Sequence, residues 1–102
     1  MTAPSSDTVA AVLGHADASL DASRGRLFEL LSIPSISAQP DHRQDCQRAA
    51  GWVCAQFADL GFAAEVRPTK GHPVVLAHHP APAGYRGPHI LFYGHYDVQP
   101  VD

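Results

Sequence analysis

His95 and Asp97 stand two positions apart at the end of the apolar run ILFYGHYDVQP, residues 90–100. On an extended chain positions i and i+2 face the same side, so the imidazole and the carboxylate emerge together while Tyr96 points away. A neutral imidazole is a strong zinc ligand, and a carboxylate at its other ring nitrogen fixes the tautomer and raises its basicity. Alternatively the aspartate binds a metal itself, or the two side chains simply hydrogen-bond each other at a loop. Residue type alone leaves these readings open, because H-x-D is a two-residue pattern. Position speaks for a site, since ligands in open α/β sheets gather beyond the carboxyl ends of strands. Gly94, just before the histidine, is expected to let a neighbouring group approach closely.

The remaining chemistry-bearing residues are less promising. His78 and His79 are adjacent, so on a strand they face opposite sides and cannot share one metal. His15, His42, His72 and His89 lack a partner at ligand spacing and are expected to be solvated. Ser35 and Ser37 lie in no G-x-S-x-G elbow, which leaves loop polarity as their explanation. An α/β-hydrolase would need glycines after the histidine of its oxyanion turn, and here Tyr96, Asp97 and Val98 follow. Cys46 and Cys54, eight apart on one expected helix, would be separated by about 12 Å, beyond disulfide reach.

The elements that must carry the pair can be read from periodicity. Val9, Val12, Leu13, Ala16 and Leu20 recur at helical spacing, and Leu27, Phe28, Leu30, Leu31 and Ile33 resume it, giving an amphipathic helix from about Asp7 to Ser32. Gly25 weakens that helix without ending it, and Pro34 stops it. PSISAQP is a loop. A second helix is expected from Asp41, with Asp41 and Gln44 as a capping-box variant, Trp52 at the border of the buried face and Gly61 as the stop. The period then becomes two. Phe62 to Arg67 and Pro73 to His79 read as an antiparallel strand pair. After the connector PAPAGYRGP, HILFYGHYDV reads as a third strand, apolar on both faces and therefore central in a covered sheet.

Composition narrows the partners. The 102 residues are 45% hydrophobic and 17% charged, with a net charge of −3 and seven Lys plus Arg in no cluster. This excludes the electrostatic footprint of a nucleic-acid or anionic-membrane binder. No apolar run approaches the ~20 residues of a membrane span, and the N-terminus has no basic region of a secretory signal, so a cytoplasmic location is expected. Seven histidines in so short a chain make metal chemistry worth testing.

YGHYDVQPVD strongly resembles the first metal-ligand motif of the M20 family of zinc metallopeptidases, in the branch of dipeptidases related to carnosine dipeptidases. LLSIPSIS, the D-x-x-Q helix with AAGWV, LGFAAEVRPT and GHPVVLAHHP follow the family in matching order, so the resemblance runs from about Leu27 onward. It implies an α/β fold: the N-terminal part of a zinc-peptidase-like α/β/α sandwich, with two helices followed by three strands of a mixed sheet. It also implies that His95 ligates one of two zinc ions and that Asp97 serves catalysis by orienting it. A peptide substrate and, for a full-length family member, a homodimer are implied as well. Residues 1–102 would then be the N-terminal portion of a single catalytic domain. The other family ligands and the general base would lie beyond Asp102, and the chain alone would be inactive. A non-catalytic remnant or interaction module, and a related amidohydrolase such as an N-acyl amino acid deacylase, remain as alternatives.

Overall fold

A computed structural model describes residues 3–102, and the element order is α1 (Ser6–Ala18), α2 (Leu20–Leu31), a 3-10 turn (Pro40–His42), α3 (Arg43–Asp59), β1 (Ala63–Arg67) and β2 (Val74–His78). This is a mixed α/β chain. The single long helix expected over residues 7–32 is two helices, and the break falls at Ser19, not at Gly25. Ser19 takes φ −102° and ψ 7°, and its hydroxyl donates to the His15 carbonyl at 2.7 Å. A serine bonding back onto its own helix competes with the backbone and bends it. Ser5 caps the start of α1 by accepting from the Thr8 amide at 3.1 Å.

Neither α1 nor α2 buries a residue, although both carry an apolar stripe. Val12, Leu13, Phe28 and Leu31 are all about 60% exposed. The indole of Trp52 donates to Glu29 at 3.1 Å and ties α2 to α3.

The start of α3 departs from the expected capping box. Pro40 opens the 3-10 turn one residue before Asp41, which places Asp41 inside the turn instead of at the cap. His42 occupies the cap position without a side-chain cap bond, and its Nδ1 lies 2.8 Å from Asp45 Oδ2. The far end matches expectation. Gly61 takes φ +90°, its amide donates to Ala58, and the Phe62 amide donates to Phe57, which is the paired bonding of a Schellman motif. Phe57 and Phe62 seal it with ring centroids 5.3 Å apart.

Gly61 thus turns the chain directly into the expected antiparallel hairpin. Its register sets Ala64 opposite Ala77 and Val66 opposite Val75, with Ala64, Val75 and Ala77 the partly buried positions. α3 packs on both strands. The opposite face, with Glu65, Leu76 and His78, is exposed.

The third strand does not form. Residues 89–97 run without a ladder partner among the described residues, and a parallel bridge between Ile36 and Val98 follows at the end of this stretch. A strand is defined by a neighbour that takes its N–H and C=O groups, and periodicity cannot supply one. Ile90, Leu91, Phe92 and Tyr93 are consequently 76%, 94%, 88% and 92% exposed. The radius of gyration, 16.8 Å, reflects the outlying helices and this open segment. A compact chain of this length would come to about 13 Å. The three-strand sheet of the sequence reading is therefore a two-strand hairpin plus an unpaired extended segment.

The tight core is small. Ile33, Ile36, Cys46, Ala49 and Ala50 are its buried apolar residues, with Ser35 as the buried polar one. Both cysteines are free, as their spacing predicts.

Hydrogen exchange should reproduce this division. The Val98 amide, bonded to Ser35, and the amides in the middle of α3 should exchange at least about tenfold more slowly than those of Leu91, Phe92 and Tyr93. Equal protection across residues 90–98 would mean that a third strand is paired in solution.

Candidate functional site

The segment that carries His95 and Asp97 is held by the loop following α2. Ser35, 1% exposed, donates its hydroxyl to the Tyr96 carbonyl at 2.8 Å, and its own carbonyl accepts from the Val98 amide at 3.0 Å. The Tyr96 hydroxyl donates to the Pro73 carbonyl at 2.6 Å, so Tyr96 is used to fasten the segment to the hairpin turn. His72, in that same turn, bonds through Nε2 to the Ser37 carbonyl at 2.8 Å. A carbonyl only accepts, so Nε2 carries the proton; His72 Nδ1 is buried with no partner. Within the turn, Thr69 donates to the His72 carbonyl at 2.6 Å and accepts from the Gly71 amide at 3.0 Å.

On this frame His95 and Asp97 meet. His95 Nδ1 lies 2.9 Å from Asp97 Oδ1 and 3.0 Å from the Asp97 carbonyl oxygen. Both neighbours are acceptors, so Nδ1 carries the proton and the Nε2 lone pair is left available. The His95 side chain is 72% exposed and that of Asp97 41%, which puts the pair at the surface with the free nitrogen accessible. The second carboxylate oxygen, Oδ2, accepts from the Ser37 hydroxyl at 2.6 Å. Charge-assisted bonds of this kind are short and comparatively strong. The Ser37 hydroxyl bond holds the Asp97 carboxyl below the usual carboxylate range, against a smaller opposing effect of burial, and the bond to His95 adds to the lowering.

Cys46 belongs to the same neighbourhood. Burial pushes its thiol up, and the negative fields of Asp97 and Asp45 push it further. It stays a thiol, which is neither the nucleophile nor the metal ligand that a thiolate would be. Burial also raises Tyr96, followed by the fields of Cys46 and Asp97.

Several expectations are corrected here. Ser35 and Ser37 are structural anchors of the H-x-D segment, so loop polarity does not account for them. His72 and His42 are half-buried and bonded, His42 to a carboxylate three positions on, so neither is simply solvated. Gly94 has open space where a Cβ would sit, and no group approaches it. The signal for Ser35 and Ser37 is present as a Ser-x-Ser directly after the Pro34 helix stop, yet nothing local says that its partners lie about 60 positions away. His79 lies edge-on to Phe62, with centroids 5.1 Å apart, while His78 stays on the open face of the hairpin.

An imidazole with its proton held on one nitrogen and its lone pair free on the other has the donor chemistry of a zinc ligand. A hydrolytic zinc site ordinarily takes three protein ligands, and no group of three His, Cys, Asp or Glu able to hold an ion occurs among the described residues. Nor is any helix among them long and apolar enough to cross a membrane.

One curated relative bears on the kind of protein this is. The chain is 35% identical over 86 residues to a cysteinylglycine-S-conjugate dipeptidase of Corynebacterium striatum, an alignment that takes in 80% of this chain. The chain spans 19% of that protein's length. No family model and no solved structure matches. The relationship is thus to a dipeptidase.

The lowered Asp97 carboxyl has a signed consequence. Its contribution to stability is complete above the unfolded carboxylate value of 3.8 and is lost as pH falls through the lower folded value. Unfolding midpoints of the wild type should therefore drop between pH 5 and pH 3 by more than those of Asp97→Asn, where this linkage is removed; parallel curves would count against a depressed Asp97.

Proposed function

We propose that the chain is the N-terminal portion of the catalytic domain of a zinc-dependent M20-type dipeptidase acting in the cytoplasm on dipeptides or short peptides. Residues 1–102 contribute to it one zinc-ligating imidazole, His95. The observation that carries this reading is the bond from His95 Nδ1 to Asp97, which leaves Nε2 as an outward lone pair. The dipeptidase relative supplies the reaction class.

In this reading His95 binds through Nε2, and Asp97 sets the ring's tautomer and raises its basicity. Zinc, when bound, supplies a polarised substrate carbonyl and an activated water. Asp97 takes no proton from substrate; its lowered carboxyl remains a carboxylate at neutral pH, which is what holding the Nδ1 proton requires. One ligand cannot complete a hydrolytic site. The 102-residue chain is therefore inactive by itself, and in a full-length, homodimeric family member other residues would complete the coordination.

Added Zn2+ should shift the ring signals of His95 in the chain's NMR spectrum, and His95→Ala should abolish any such response. Dialysed chain should retain far less than one equivalent of zinc and hydrolyse no dipeptide. Stoichiometric zinc surviving dialysis would refute the single-ligand reading. In a full-length dipeptidase carrying this sequence, His95→Ala should lower both zinc content and kcat/KM, the latter by at least about a hundredfold; full zinc occupancy with retained hydrolysis would rule out the ligand role.

A further inference from the structure

We propose that Ser37 is a positioning residue for His95: by donating its hydroxyl to Asp97 Oδ2, it fixes the carboxylate orientation that presents Oδ1 to the imidazole. The purpose of this arrangement rests on reading His95 as a ligand, but the geometry does not.

His95 and Asp97 are too exposed for packing to hold them. The terminal torsion of an aspartate is broad, so an unrestrained surface carboxylate turns freely and meets water as readily as a neighbour. Ser37 removes that freedom with its 2.6 Å bond, which engages one oxygen and leaves the other for His95. Ser37 is itself held from two directions. Its carbonyl accepts from His72 Nε2 in the hairpin turn, and two residues earlier Ser35 is buried and bonded to both Tyr96 and Val98. Orientation therefore passes from the hairpin turn to His72, from His72 to Ser37, from Ser37 to Asp97 and from Asp97 to the ring.

The ring tautomer reads out this chain of contacts. A histidine free in water favours the proton on Nε2, whereas His95 is bonded at Nδ1 by two acceptors. Loss of the Ser37 hydroxyl releases the Asp97 carboxylate and leaves the Asp97 carbonyl as the remaining acceptor at Nδ1, so the ring shifts toward the Nε2–H form.

Long-range proton–nitrogen NMR of the 102-residue chain, at a pH where the imidazole is neutral, tests this directly. The wild type should show His95 as the Nδ1–H tautomer, Ser37→Ala should move the majority to Nε2–H, and Ser37→Thr, which keeps the hydroxyl, should restore Nδ1–H. A shift confined to residues near 35–37 and 95–97, with α3 amide signals unchanged, separates positioning from general loss of structure. Retention of the Nδ1–H form in a folded Ser37→Ala variant overturns the proposal. If Ser37→Ala loses its fold, the other two proteins decide: a majority Nε2–H form in the wild type or in Ser37→Thr overturns it, and Nδ1–H in both supports it. Zn2+ addition to the same samples keeps the two readings apart. A tautomer that depends on Ser37 without any zinc response at His95 supports the positioning role and overturns the ligand reading.

Discussion

The site depends on two hydrogen bonds made by one buried serine. Ser35 donates to Tyr96 and accepts from Val98, joining stretches of chain about 60 residues apart through a side chain that is itself buried. Each bond is worth only about 1 kcal/mol net, but an unpaired buried hydroxyl or carbonyl there would cost more than that. The asymmetry fixes the register: residues 96–98 have one way to lie on the loop after α2. With that register set, Asp97 falls beside Ser37, and Tyr96 falls where its hydroxyl reaches Pro73. The small side chains Ala49 and Ala50 and the compact Cys46 form the buried face of α3 in the same core.

The sequence made some of this legible and hid the rest for identifiable reasons. Local chemistry could be read directly: Gly61 as the helix stop, the hairpin from its change of period, and the shared side of His95 and Asp97 from the extended-chain rule. Signals that compete locally were misassigned. Ser19 bends the first helix through a bond to its own backbone while Gly25, the more conspicuous suspect, is accommodated. Pro40 displaces Asp41 from the cap. Features that need a distant partner could not be read at all. The apolar pattern of HILFYGHYDV describes what a strand would bury but not whether a neighbour stands beside it, and the roles of Ser35, Ser37 and His72 exist only once residues 33–39, 68–73 and 95–98 are brought together.

Electrostatics follow from the same convergence. Asp97 accepts from Ser37 and His95 and lies close enough to a buried thiol and a half-buried phenol to act on both. The donors stabilise its charge, while that charge discourages ionisation of Cys46 and Tyr96. Together with burial, that charge keeps Cys46 a thiol.

Most of the groups that orient the imidazole, from Ser35 and Ser37 to His72 and Pro73, are translated before His95 itself, and Tyr96, Asp97 and Val98 follow within three codons. On a ribosome working from the N-terminus, the cradle can be standing when the histidine leaves the exit tunnel. The ring then waits on only the next three residues to find its direction.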